Sequence, residues 1–256
     1  MNTDDLEILN KKYDKDFNQA LNIYENDYSH EDLINFLKNG TVAEKQTAVL
    51  KLDNLKSKSE AEIFMNNLTG CDGKIREAVS FRLKDFIVEN PEYFVDYAEI
   101  FLDAVVDING NICRNTIFAL KYMNTCCHSE RSEESHKIFF EFCEKFCAEL
   151  LRRSAELAKK AKNFDIQEGK YKINKEIFKL YWYLETICEF VDYVDKSELL
   201  EILNDTGQII DYTIREKTAK ILTKLDDKEF EKLKTQLKND ENYYVRRILA
   251  TPFSKP

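Results

Sequence analysis

The stretch Asp72-Gly73-Lys74-Ile75-Arg76-Glu77-Ala78-Val79-Ser80-Phe81-Arg82-Leu83 constrains this chain most, because variants of it recur from one end to the other. It reads as a turn followed by a helix, with a basic residue in the first turn and apolar residues at helical spacing. Ile75 and Arg76 have counterparts in Ile112 and Cys113 (with Arg114 one place late), in Ile214 and Arg215, and in Val245 and Arg246. Leu83 corresponds to Leu52, Leu120 and Leu222, and the same register puts Lys45 in the basic place of a first unit. Steps of 31 and 37 residues lead from Lys45 to Arg76 to Cys113, and 31 residues again separate Arg215 from Arg246. The 102 residues between Cys113 and Arg215 hold one irregular unit with longer helices. Helix pairs of this period cannot bury their apolar faces alone, so they stack side by side around a continuous core. The expected fold is all-α: an α-solenoid of about five stacked antiparallel helix pairs in a right-handed superhelical arc, with irregular longer helices in the middle.

Composition agrees with that class. The chain has 256 residues, of which 43% are hydrophobic and 33% charged, as in a globular rather than a disordered protein. Six Gly and three Pro are too few for the many turns of an all-β fold. With 38 basic and 47 acidic residues the net charge is −9, which opposes broad binding to phosphate backbones or anionic membranes. The start, Met1-Asn2-Thr3-Asp4-Asp5, is acidic and lacks the apolar run of a secretory signal, and no stretch is apolar enough for a membrane span. Seven Cys without framework spacing, mostly within apolar helical patterns, point to a reducing cytoplasm.

In chain order, residues 1–40 are expected to form N-terminal cap helices, 41–125 regular repeats, 126–136 an inserted loop, 137–194 a long irregular helix pair, and 195–256 further repeats with a C-terminal cap, all in one domain. Ser29 with Asp32, and Thr41 with Glu44, have the spacing of capping boxes. Asn39-Gly40 reads as a left-handed helix stop. Asn90-Pro91 reads as the start of a helix whose apolar face runs from Phe94 to Val105.

A helix opening with Asp or Asn, then Ile/Val-Arg, then small and apolar residues up to a Leu, followed by a Leu-rich second helix, resembles the HEAT family of repeats. The resemblance covers roughly residues 31 to 250, on the period-based reading of repeats, and is degenerate in the middle. In that family the Asp before the helix and the Arg in its first turn pair between neighbouring repeats, and the matching residues here are Asp72, Arg76, Asp211, Arg215 and Arg246. Cys113 and Asn174 depart from the pattern, so the ladder should be interrupted there. These positions imply repeat stacking rather than catalysis.

The irregular middle carries the features the repeat does not explain. Cys126 to His136 is polar and resembles a peptide seen when interspersed bacterial genomic repeats are translated in frame, which implies a surface insertion. Cys126, Cys127, His128, His136, Cys143 and Cys147 share one window, but adjacent Cys-Cys-His is poor chelate spacing, and Cys143 and Cys147 fit an apolar stripe. The basic end of the following helix, including Arg152 and Arg153, reads either as favourable charge at a helix C-terminus or as a patch for an acidic partner. In the next helix a stripe from Ile173 to Val194 reads as core. Trp182, the sole tryptophan, shares another face with Lys175, Lys179 and Tyr193. It reads either as packing between neighbours or as an exposed anchor of the sort that dominates interface energetics.

No glycine-rich phosphate loop, His-Glu-x-x-His, Cys-x-x-Cys or Gly-x-Ser-x-Gly motif occurs, so no catalytic residue, metal or cofactor is assigned. The expected function is a non-catalytic scaffold that binds a protein or peptide. The concave face would be lined by the second helices, roughly Ala61–Leu68, Tyr93–Val105, Phe139–Lys160, Glu198–Leu203 and Glu229–Leu237. The candidate partner-binding residues are Trp182, Tyr193, Lys175, Lys179, Arg152 and Arg153. The alternative is an enzyme, because HEAT-like folds also host alkylpurine DNA glycosylases with a basic groove and a Trp. Here only Trp182 and the segment from Arg152 to Lys162 could be recruited for that, against the net charge of −9.

Overall fold

Capping chemistry sets most helix starts. In the computed structural model, which describes residues 3–126, 133–164 and 169–250, Ser29 and Thr41 both close full capping boxes, with Asp32 and Glu44 respectively. Ser57, Asp72, Asp195 and Asp211 cap four further helices through their side chains, each such cap contributing about 1 kcal/mol. Among the described residues there are thirteen α-helices and no strand. No described helix is long and apolar enough to cross a membrane.

The chain divides into two compact units, Met1–Ser129 and Glu130–Pro256. The first holds α1 (Thr3–Glu25), α2 (His30–Asn39), α3 (Val42–Lys51), α4 (Lys58–Asn66), α5 (Gly73–Glu89), α6 (Ala98–Ala104) and α7 (Gly110–Cys126). Within it α1, α3, α5 and α7 pack in sequence as one layer, while α2 packs on α3 and α4, and α6 on α7. The space between is filled by Phe64, Phe86, Phe94 and Phe101, with Phe64 edge-on to Phe86 at 5.0 Å.

The second unit holds α8 (Glu133–Lys162), α9 (Asn174–Glu189), α10 (Lys196–Thr206), α11 (Tyr212–Leu222), α12 (Glu231–Lys238) and α13 (Tyr243–Ala250). Here α9, α11 and α13 form one layer, and α8 and α10 pack together on the other side, α8 against α9 and α10 against α11; α12 packs against α11 and α13. Phe142, Phe146 and Phe190 stack through its core, where Cys143 and Cys147 are buried too. Burial pushes the Cys147 thiol up to about 12, so it behaves as a small hydrophobe rather than a nucleophile or ligand. The side chains of Cys126, Cys127, His128 and His136, and residues 127–132 of the expected inserted loop, lie outside the described part.

Three local expectations are corrected. Gly40 is not left-handed: its φ is −72° and ψ 171°. Glycine is needed there because a Cβ would come within 2.5 Å of the Phe36 carbonyl oxygen and 2.9 Å of the Glu44 Cβ, so the turn between α2 and α3 has room for a backbone and nothing more. Asn90-Pro91 does not open a long helix. Pro91–Tyr93 is a single 3-10 turn, Asn90 makes no side-chain cap, and α6 begins only at Ala98. Tyr193 is not on the helix of Trp182, because α9 ends at Glu189.

The repeat itself takes a form the sequence pattern left ambiguous. Asp72 and Asp211 are not the acids that Arg76 and Arg215 hold; they are helix caps, accepting from the backbone N–H groups of Lys74 and Thr213 at 2.8 and 2.9 Å. Asn109 and Asn242 accept in the same way from Asn111 and Tyr244. The paired acids sit two residues earlier, in the turn before the next helix of the layer. Arg76 Nε donates to Asp107 Oδ2 at 2.7 Å, and Arg215 Nε to Asp240 Oδ2 at 2.7 Å. Each arginine also donates through Nη1 to the carbonyl six residues before it: Arg76 to Gly70, Arg215 to Ile209, Arg246 to Asp240. Cys113, where the arginine is missing, offers its thiol to the corresponding carbonyl of Asp107.

Candidate functional site

The residues singled out from the sequence are mostly engaged within the fold. Trp182 is 8% exposed, with its ring 5.2 Å from Tyr181 and 6.2 Å from Phe178, so it is no exposed anchor. Its indole Nε1 is buried without a hydrogen-bond acceptor, which marks packing rather than polar recognition. Arg152 grips Glu149 through Nε and Nη2 and also bonds Glu156, while Arg153 Nε donates to Glu149 at 2.7 Å. Hydrogen bonds from Arg152 and Arg153 outweigh desolvation and hold the Glu149 carboxyl down at about 2. Further along the same helix Lys160 pairs with Glu176, and Lys162 with Asp205 at 2.7 Å. Arg152, Arg153, Lys160 and Lys162 of the basic run are thus matched by their own chain. Lys175 and Lys179 are exposed, and Tyr193 is half-buried beside Phe190. Trp182 is therefore not the exposed centre of these six residues.

Trp182 supplies a direct test of this placement. As the only tryptophan it should emit at short wavelength and resist acrylamide quenching, and Trp182→Phe should change stability by no more than about 1.5 kcal/mol, because the lost volume is offset by removal of an unpaired N–H. Strongly quenched, water-like emission would contradict the burial.

The exposed apolar surface lies elsewhere. Counting five residues on from Lys45, Arg76 and Cys113 gives Leu50, Phe81 and Phe118, which are 46%, 66% and 50% exposed. They sit on α3, α5 and α7, three successive helices of one layer, and so form a row across it. Beside the row a shallow groove of about 400 Å³ is lined by Gln46, Glu77, Ala78, Asn111 and Asn115, together with Leu50 and Phe81. Phe118 packs edge-on to Tyr122 at 5.2 Å, and the Lys84 ammonium lies 5.4 Å from the Phe118 ring centre and 4.8 Å from that of Tyr122. This surface belongs to the opposite layer from α4 and α6, where the sequence pattern placed the binding face.

The second unit has its own apolar cavity, about 340 Å³, walled by Phe164, Ile173, Ile177, Ile209, Ile210 and Tyr212. Three of its polar groups are committed locally: Lys162 to Asp205, Asp211 to Thr213, and Gln208 to the Asn204 carbonyl. Tyr212 stacks on Tyr244 at 6.1 Å beyond the cavity mouth. At the place equivalent to Phe81 this unit carries Lys220, which is bound to Glu185.

No protein-family model matches the chain, and no curated protein matches it either.

Proposed function

We propose that the chain is a HEAT-like α-solenoid acting as a non-catalytic scaffold, which binds a protein or peptide partner through one layer of its helices. The observation that carries this reading is the row Leu50, Phe81 and Phe118. Single exposed apolar residues are ordinary, but three at one register on successive packed helices, two of them lining one groove, form an array of the kind that supports an interaction surface. The repeat assignment is supported by the Arg76–Asp107 and Arg215–Asp240 pairs, which link successive helices of a layer in both units. The glycosylase alternative gains no support from a buried Trp182 and an Arg152 already clamped by two carboxylates.

The test is a comparison of immobilised proteins in an extract of the source organism. A specific protein retained by the wild type should be lost with Phe81→Ala/Phe118→Ala and kept with Arg152→Ala/Arg153→Ala. Phe81, Phe118 and Arg152 are exposed, where folding should shift by only about 0.5 kcal/mol per site; Arg153 is part-buried on Glu149, so melting curves of both variants accompany the comparison. Retention by the Phe81/Phe118 variant, or loss with the Arg152/Arg153 variant, would move the binding surface away from α3, α5 and α7.

A further inference from the structure

The charges around the row narrow the chemistry of what covers it. The unit Met1–Ser129 contains 14 basic and 22 acidic residues, so a cation on its surface has carboxylates to choose from. Of the acids beside the row, Asp85 pairs with Arg82 at 3.2 Å, whereas Glu77 accepts only from the neutral Asn111 amide at 3.2 Å and keeps its charge in the groove. Two cations are left over. Lys84 lies against the Phe118 and Tyr122 rings, and Arg114, one helical turn before Phe118, bonds only to the neutral Asn111 carbonyl. Among the described residues neither Lys84 nor Arg114 pairs with a carboxylate. The corresponding layer of the other unit shows the contrast. There Lys217 and Lys220 share Glu185, and Lys224 lies 3.8 Å from Glu189. One layer neutralises its cations internally; the other presents them next to exposed aromatics.

The polar lining of the groove also separates a helical occupant from an extended one. An extended peptide must find partners for its backbone, whereas a helix brings its own. Asn111 is already committed to Glu77 and Arg114, and the Asn115 amide donates to Ser80. Few groups remain to pair an extended backbone. Adjacent packed helices lie about 8–10 Å apart, and residues seven apart on a helix are separated by about 10.5 Å. A helix crossing α3, α5 and α7 can therefore set one apolar side chain against each of Leu50, Phe81 and Phe118.

We propose that the row Leu50–Phe81–Phe118, with Lys84 and Arg114 at its α7 end, is the docking site of an acidic amphipathic helix whose apolar side chains recur every seven residues. This rests on the reading of the chain as a binding scaffold and specifies the partner of that surface. The aromatic row supplies apolar contact, and the two unmatched cations select acidic over basic partners through steering and the penalty on like charge.

The experiment uses the full chain and three synthetic peptides of about 18 residues, each a helix with leucines seven apart, flanked by Glu, Gln or Lys and otherwise identical. Binding is measured by fluorescence anisotropy. The Glu peptide should bind saturably and about tenfold or more tighter than the Lys peptide. Phe81→Ala/Phe118→Ala should weaken all binding about tenfold or more, and Lys84→Glu/Arg114→Glu should remove or reverse the preference for the Glu peptide. If the peptides bind through Phe81 and Phe118 with no preference for Glu over Gln and Lys, the acidic class is wrong and the scaffold reading stands. If none binds at about 1 mM, or if binding ignores Phe81 and Phe118, the docking site itself is wrong. A concentration-dependent dimer abolished by Phe81→Ala would assign the row to a second copy of the chain and overturn the proposal in that way.

Discussion

Arg215→Ala is expected to destabilise the unit Glu130–Pro256 by about 3–5 kcal/mol, a loss on the order of 10–20 °C in melting temperature for a unit of this size. The Arg215 side chain is 8% exposed and its partner Asp240 only 7%, so water screens the pair little. The guanidinium donates to both carboxylate oxygens, at 2.7 and 3.1 Å, and through Nη1 to the carbonyls of Ile209 and Ile210, at 2.8 and 2.7 Å. Alanine would leave a buried carboxylate without its cation and two carbonyls without that donor, and the cost comes from those orphaned groups more than from the lost attraction. Removing both charges together, as Arg215→Met/Asp240→Leu, should therefore cost less than Arg215→Ala alone. Arg76→Ala should cost less too, because Arg76 and Asp107 are somewhat more exposed, at 14% and 10%.

The same pair sets a pH dependence with a definite sign. Burial raises the Asp240 pKa, but hydrogen bonds from Arg215 and from the Asn242 N–H, with the charges of Arg215 and Arg246, outweigh it and bring the pKa below its ordinary 3.8. A carboxyl with a lowered folded-state pKa stabilises fully above its unfolded value and loses that contribution as pH falls through the folded one. The stability gap between wild type and Arg215→Ala should be full at neutral pH and should narrow as pH falls, beginning above the ordinary carboxyl range because the uncompensated Asp240 of the variant takes up a proton first. Urea titrations from neutral to acid pH read it directly. A gap under about 1 kcal/mol at neutral pH would remove Arg215 from the supports of the fold.

What could be read in advance divides along local and non-local lines. The capping boxes at Ser29 and Thr41 were legible because all their partners lie within four residues. The long α8 was legible because its apolar stripe persists for many turns. The acids of the Arg76 and Arg215 pairs were not, because Asp at four and at six residues before the arginine's place look alike in a pattern. Only the fold separates a cap such as Asp72 from a partner such as Asp107. Gly40 was misread because Asn-Gly carries a strong local prior for a left-handed stop, whereas its actual constraint is the approach of Glu44 from the next helix. The exposure of Trp182 and that of Phe81 were illegible for one reason. Both lie off the core stripe of their helices, and whether such a residue is covered depends on what the neighbouring elements do. A signal for Phe81 was present: an apolar residue stands five places after the repeat's basic position in three successive units.

Glu185 carries the other large effect, and here the prediction tests how the second unit neutralises its own cations. Its carboxylate is shared by Lys217 and Lys220, at 2.7 and 2.6 Å, and Lys217 also sits 4.4 Å from the centre of the Tyr181 ring. All three side chains are less than a third exposed. Glu185→Gln keeps the shape and one acceptor but strands Lys217 between α9 and α11, and it is expected to cost about 2–4 kcal/mol. Burial raises the Glu185 pKa, but hydrogen bonds from Lys217 and Lys220 bring it below its ordinary 4.5. Burial lowers the Lys217 pKa, and its hydrogen bond to Glu185 takes it above its ordinary 10.5. The carboxylate's contribution is present above its unfolded pKa and lost as pH falls through its lowered folded value; the lysine's is present below its unfolded pKa and lost as pH rises through its raised one. The advantage of wild type over Glu185→Gln should therefore be full near neutral pH, shrink on the acid side as Glu185 is protonated, and shrink on the alkaline side as the stranded Lys217 of the variant, its pKa lowered by burial, gives up its proton. It should also survive about 0.5 M salt, unlike an exposed pair such as Lys58 and Asp96, whose side chains are 63% and 72% exposed. Equal urea midpoints for wild type and Glu185→Gln, or a difference halved by salt, would show the cluster to be solvated surface charge.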